Sequence, residues 1–250
     1  MKKNDRAKPG RREFLQAAGT VAAVLALGAL PHAARAASNA GTSLKIGIVG
    51  SGRIGGTLGA LWLKAGHEIM FSSLDLEHDK ALAARLGGKA RAGTSREAAA
   101  FGEVLLIAVP YAALPQVGRD LGDLIKGKVV LDACNPIPGR DGDIATWARE
   151  KGAGLASAEL LPGARLVRAF NAIGYARLPE ASQRQGERIG MPMAGDDAGA
   201  IAVASRLVRE IGYEPVLIGP LAMGKYVIPG TPLAGEQTPE RIRRIAATFK

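Results

Sequence analysis

Between Lys45 and Gly56 the chain reads KIGIVGSGRIGG, a branched apolar run that breaks into Gly50, Gly52 and Gly55 at the G-x-G-x-x-G spacing. That pattern calls for a buried strand, a tight turn and a helix in immediate succession. The three glycines serve different ends. The first permits the turn, the second lets the main chain approach a pyrophosphate, and the third lets the helix pack close to the strand. N–H groups at the start of the helix then face the phosphates. The flanks agree with this reading. Ile54, Leu58, Leu61 and Ala65 fall at helical spacing, Gly66 is placed to end the helix, and residues 67–71 read as a second strand. The same glycines in an α/β protein without a nucleotide are the bland alternative.

The alternation continues to the end of the chain. Strands are expected at 89–92, 104–109, 128–133, 166–170, 191–194 and 214–218, and helices at 76–86, 95–101, 111–125 with a break at Pro115, 143–151 and beyond, 198–211 and 239–249. Strands separated by helices imply an α/β fold of the Rossmann type, a doubly wound and mostly parallel sheet with right-handed crossovers, here with a short C-terminal helical extension. The expected division is a leader over 1–36, a linker over 37–43, one dinucleotide-binding domain over 44–236 and a final helix over 237–250.

The leader is read as an export signal. Lys2, Lys3, Arg6, Lys8, Arg11 and Arg12 make a basic start, residues 17–30 are mostly apolar, and Ala34-Arg35-Ala36 offers a small-x-small cleavage site. The apolar run falls short of the about 20 residues that span a bilayer. Arg11-Arg12 resembles a twin-arginine signal, from which Gly10 and Gln16 depart, and an ordinary secretion signal stays open as the alternative. The expected destination is the periplasm, with no membrane span after cleavage. Cys134 is the one cysteine, so no internal disulfide can form. Residues 1–36 carry a net +5 of the formal +10, which leaves a mildly basic mature chain of about +5 with scattered cations and few aromatics. That argues against a nucleic-acid partner.

The strand end about 20 residues beyond the first glycines reads the adenosine ribose, and here it is Phe71-Ser72-Ser73-Leu74. A carboxylate there would bond both ribose hydroxyls and repel a 2′-phosphate; Ser72 and Ser73 tolerate one, so NADP is expected ahead of NAD, although Asp75 can still swing to the ribose. Three further strand ends break into turns at Val109-Pro110-Tyr111, Cys134-Asn135-Pro136 and Phe170-Asn171-Ala172. All should open on one edge with the glycine turn as a single crevice, where Asn135 and Asn171 offer both donor and acceptor. His67 and His78 stand in no metal-ligand or nucleophile–base spacing, so no metal is expected. Tyr111 is the candidate proton donor, or else a ring that covers the cofactor or caps a helix.

These pieces together resemble the coenzyme F420-dependent NADP oxidoreductases and the related reductase domain of the STEAP ferric reductases. The matching segments, in order, are VGSGRIGGTLG at Val49 to Gly59, MFSS at Met70 to Ser73, AVPYAAL at Ala108 to Leu114, GKVVLDACNP at Gly127 to Pro136, VRAFNAIG at Val167 to Gly174, PMAGDDAGA at Pro192 to Ala200 and GPLAMG at Gly219 to Gly224. The resemblance implies that NADP is held by Gly50, Ser51, Gly52, Arg53, Ile54 and Gly55, by Ser72 and Ser73, by Val109 and Pro110 with Tyr111, and by Asn135, Pro136 and Asn171. It places Gly195-Asp196 and Gly219-Pro220-Leu221 near the second ligand. Leu74 departs from the family, which commonly has Arg there. The implied activity is hydride transfer between NADPH and a flavin-like, deazaflavin-like or other small acceptor, with a homodimer left open. A non-catalytic dinucleotide-binding or sensory module is the alternative.

Overall fold

A computed structural model describes residues 42–182 and 184–249. The leader expected over 1–36, and most of the linker after it, lie outside the described residues. β1 (Lys45–Val49) leads through α1 (Arg53–Lys64) to β2 (Glu68–Ser72), and the two strands lie parallel with Lys45 opposite Glu68 and Val49 opposite Ser72. Branched Ile46, Ile48 and Val49 are buried, as a strand covered on both faces requires. α1 buries Gly55, Leu58, Gly59 and Trp62 against the sheet, and the chain leaves it at Ala65 with Gly66 at φ 101°. That is the left-handed exit expected of a glycine after a helix.

The rest follows in order: α2 (Leu76–Leu86), β3 (Ala90–Ala92), α3 (Ser95–Phe101), β4 (Val104–Ile107), α4 (Leu114–Ile125), β5 (Val129–Asp132), α5 (Pro138–Asp141), α6 (Asp143–Lys151), α7 (Ala153–Leu160), β6 (Arg165–Arg168), α8 (Leu178–Ser182), β7 (Gly190–Gly195), α9 (Ala198–Glu210), β8 (Glu214–Gly219) and α10 (Pro239–Ala246). α2 and α3 start on the expected residues because each has a side-chain cap, Asp75 accepting from His78 N and Thr94 accepting from Glu97 N.

Two expectations change in detail. Pro115 does not break a helix, because it sits in the first turn of α4, where its missing N–H would have no partner. The helix expected to continue past 151 is two helices, α6 and α7, with Gly152 between them.

The eight strands form one sheet in the order β3-β2-β1-β4-β5-β6-β7-β8. β3 to β6 across that order are parallel, whereas β7 runs antiparallel to β6, with Val167 opposite Gly195, and β8 is parallel to β7. The sheet is therefore mostly parallel, as expected, with one reversal near its end. α10 rests on the reversed pair: Ile242 is fully buried beside Val216 and Leu233.

The order also fixes the site. β2 and β3 lie on one side of β1 and β4 on the other, so the chain changes direction across the sheet between β1 and β4. A crevice opens there, beyond the carboxyl ends of the strands.

Candidate functional site

The glycine turn has the geometry its spacing calls for. Gly50 has φ 97°, and its N–H, together with that of Ser51, donates to the main-chain oxygen of Ser72 at 2.8 and 3.0 Å. A Cβ on Gly55 would lie 2.0 Å from the oxygen of Gly50, so only glycine lets α1 approach this closely. A Cβ on Gly52, by contrast, would meet nothing within 4 Å. The first bond of the helix runs from Gly56 N to Gly52 O at 2.8 Å, leaving the N–H groups of Arg53, Ile54 and Gly55 ahead of it without intrahelical partners. Open space above Gly52 and unpaired amides beside it form a cradle for an anion.

Two cavities meet at this cradle. One, of about 480 Å3, runs over Val49 and Gly50 to Ser73, Leu74, Asp75, Ser95, Gln116 and Asp120. The other, of about 650 Å3, is lined by Arg53, Ile54, Ala133, Asn135, Ile137, Arg140 and residues 170–175, with Pro229, Gly230 and Ala234 on its far side. Both include Gly52, Ala108, Val109 and Pro110. A dinucleotide laid across Gly52 would put its adenosine in the first cavity and its nicotinamide in the second.

A polar lattice holds the wall of the second cavity. Asn135 Nδ2 donates to the oxygen of Asn171 at 3.0 Å, and Asn171 Nδ2 donates to Cys134 O at 3.3 Å. Asn171 is 2 % exposed, and its Oδ1 is buried with no partner. An unpaired buried acceptor costs about 1–3 kcal/mol, and a ligand donor such as a carboxamide N–H would satisfy it once the side chain turns toward the cavity, since the atom is closed to solvent as it stands. Just before it, Phe170 has φ 69°, the one positive φ outside glycine among the described residues. A bulky side chain in that region is strained. The ring packs edge-on against Trp62, with centroids 5.7 Å apart.

Beneath this wall, Arg168 and Asp132 are both fully buried, with Nη1 donating to Oδ2 at 2.5 Å. Arg168 Nη2 also donates to Cys134 O at 3.1 Å, and Asp132 Oδ1 accepts from Cys134 N at 2.8 Å. The pair thus clamps the turn that carries Asn135. Arg140 adds a strut, donating to Asn135 O at 2.9 Å and to Asp141 Oδ2 at 2.8 Å. Burial would raise the Asp141 carboxyl, but Arg140 and main-chain N–H groups hold it below its ordinary value.

Several sequence expectations are corrected. Tyr111 is fully buried and points away from the crevice, its hydroxyl 3.1 Å from Ser157 Oγ and 3.3 Å from Ala153 O. Burial pushes the phenol well above its ordinary range, so Tyr111 is no proton donor to a substrate. Ser72 is also buried, and its Oγ donates to Ile48 O at 2.7 Å. Its part is to set the glycine turn through its main-chain oxygen. Pro136 is buried behind the wall, its oxygen accepting from Arg149 at 3.1 Å. Ser51 faces inward too, donating to buried Asp79, whose other oxygen accepts from Ser73 Oγ at 2.9 Å. Gly195-Asp196 and Gly219-Pro220-Leu221 lie at the opposite end of the sheet, because β7 and β8 run against β6; Asp196 there accepts from Leu221 N at 2.8 Å. Gly52, Arg53, Ile54, Val109, Pro110, Asn135 and Asn171 do come together on the second cavity, and Gly50 and Ser73 on the first.

Asp79, Asp132, Arg140 and Arg168 are additions that the sequence reading lacks. Asp79 has a visible signal, since it shares the helical face of Leu82 and Ala83. Among the described residues no group of three His, Cys, Asp or Glu side chains could hold a metal, and no helix is long and apolar enough to cross a membrane.

Residues 45–136 match the family described as NADP oxidoreductase, coenzyme F420-dependent. The chain is similar to those enzymes. The F420-dependent NADP reductase of Methanothermobacter thermautotrophicus is 28% identical over 206 residues, 76% of this chain and 87% of that one. In structure, a hypothetical protein of Sinorhizobium meliloti superposes with a TM-score of 0.65 at 24% identity, over 78% of this chain and 95% of that one. A protein of Arthrobacter sp. FB24, to which an F420-dependent NADP-reductase role has been ascribed, gives 0.62 at 18% identity over 73% and 88%. These last two likenesses bear on the fold. The family match and the methanogen enzyme support an NADP oxidoreductase class.

Proposed function

We propose that this chain transfers a hydride between a nicotinamide dinucleotide and a small planar acceptor in the 650 Å3 cavity. The observation that carries the reading is the junction of the two cavities at Gly52, where a Cβ would find open space and the helix amides have no intrahelical partner. NADP is the cofactor named for the relatives, and a flavin-like or deazaflavin-like molecule is the acceptor class that goes with it. The nicotinamide supplies the redox chemistry when bound; the protein has to grip, orient and exclude water. The unpaired amides ahead of Gly56 and the Arg53 guanidinium would bind the diphosphate. Asn171 Oδ1 would orient the carboxamide, and Ile54, Ala133, Ile137 and Ile173 would keep the far face dry.

Arg53 has a second relation to the cavity, as its guanidinium lies 5.1 Å from the centre of the Tyr175 ring. That contact joins the glycine turn to the loop after β6 across the mouth of the cavity. With Tyr111 turned inward, the titratable side chains on this wall among the described residues are Arg53, Arg140 and Tyr175, and hydride transfer from a nicotinamide asks no acid–base pair of them.

The test is the loss of reduced-nicotinamide absorbance on adding flavin, deazaflavin or ferric acceptors to the purified protein. Bound nucleotide without turnover over that panel would leave the binding or sensory module as the better reading. Export through residues 1–36 belongs to the same proposal. Replacing Arg11 and Arg12 with lysine should hold the protein in the cytoplasm if the twin-arginine route is used.

A further inference from the structure

Among the described residues, the wall that would meet the adenosine ribose has no cation on it. In this kind of fold the ribose 2′ position falls at the end of the second strand, here at Ser73, Leu74 and Asp75, all on the 480 Å3 cavity. No Lys, Arg or His among the described residues lines that cavity, and its charged side chains are Asp75 and Asp120. Asp79 lies buried directly behind Ser73. A 2′-phosphate would bring a charge of about −1.5 to −2 into this surface.

The devices that commonly offset such a charge are already engaged. The amino end of α2 is taken by the chain's own carboxylate, since Asp75 Oδ1 accepts from His78 N at 2.9 Å. The amino end of α3 is closed in the same way, with Glu97 Oε2 accepting from Thr94 N at 2.7 Å. Arg96, in the first turn of α3, is bidentate to Asp123 at 3.0 and 2.7 Å and also bonds Asp120 O. The hydroxyl of Ser72 is spent on Ile48 O. Leu74 projects fully into solvent and brings no charge to the surface.

We infer that this chain selects a dinucleotide with a free 2′-hydroxyl, NAD(H) in preference to NADP(H), and that Asp75 is the selecting side chain. The inference rests on the dinucleotide reading of the cleft and departs from the cofactor named for its relatives. A ribose hydroxyl can donate to the exposed carboxylate, whereas a 2′-phosphate in this cavity meets like charge, the cationic side chains Arg53, Lys64 and Arg85 and the His78 ring lining the adjoining cavity on the other side of Gly52.

Calorimetric titration of the whole protein with ADP-ribose and with 2′-phospho-ADP-ribose tests this without any acceptor. The unphosphorylated ligand should bind about tenfold more tightly or better. Equal binding, or tighter binding of the phosphorylated ligand, overturns the inference and leaves the hydride-transfer reading intact. Binding of neither ligand overturns both. Asp75→Ser keeps a helix-capping side chain, so the variant should fold, and its preference should fall by about tenfold. An unchanged ratio in a variant with an unchanged melting temperature would remove Asp75 from the role. Adding Leu74→Arg to Asp75→Ser should reverse the preference.

Discussion

Arg168 donates to Asp132 at 2.5 Å with both side chains shut away from water, and the same two residues bond both the N–H and the oxygen of Cys134. Neighbouring strand ends are thereby locked at the height that brings Asn135 and Asn171 together. Removing one partner of a buried pair leaves an uncompensated charge, which costs about 3–5 kcal/mol. Arg168→Met should therefore lower the melting temperature sharply and weaken nucleotide binding. Arg168→Met with Asp132→Asn should recover much of the stability, because no buried charge is left. A double variant as unstable as the single one would show that packing, and not charge, dominates.

Gly52 and Gly55 should fail in opposite ways. Gly52→Val adds side chain into open space, so the fold should keep its melting temperature while dinucleotide binding is lost. Gly55→Val drives a Cβ into the oxygen of Gly50 and should destabilise the protein by about 1–3 kcal/mol or more. Calorimetry and thermal melts on the two variants separate the outcomes.

Asn171→Ala deletes the buried, unpartnered Oδ1 as well as a bond to Cys134. Nicotinamide dinucleotides should then bind about tenfold more weakly, while ADP-ribose, which lacks the carboxamide, should bind as before. Equal loss for both ligands would assign Asn171 to the architecture of the wall and not to the ligand.

Asp197 should contribute to the acid sensitivity of the fold. This carboxylate accepts from Arg165 at 2.6 Å and caps α9 by accepting from Ala200 N at 2.7 Å. The Arg165 guanidinium first, and the main-chain N–H next, hold its pKa down at about 2. A depressed folded-state pKa gives stability that is complete above the unfolded value, near about 4, and is lost as the pH falls through about 2. Melting temperatures between those limits should drop in the wild type and stay flatter in Asp197→Asn.

What the sequence discloses is what is local. Glycine spacing, alternation and caps act over a few residues, so β1, α1, α2 and α3 fall where expected. The direction of β7 is hidden, because GMPMAG reads the same whether a strand runs with its neighbour or against it. Arg168 lies among the apolar Leu166, Val167, Ala169 and Phe170, which read as a plain buried run, and its partner stands 36 positions away. Tyr111 escapes a sequence reading because a turn residue beside a crevice can face either way, and here the helical turn at Tyr111–Ala113 rotates the ring inward against Ser157.

The reversal of β7 has one further consequence. β8 finishes at the far end of the sheet, so the chain must climb back past Arg168, whose Nη2 meets Val227 O, before Pro229 and Gly230 reach the cavity and Gly235 N bonds Ala172 O. With the dinucleotide placed as proposed above, most of its grip would fall to residues 45–136 together with Asn171, and the returning arm would border the space left for the acceptor. Exchanging that arm between relatives should trade one acceptor for another while leaving affinity for the coenzyme as it was.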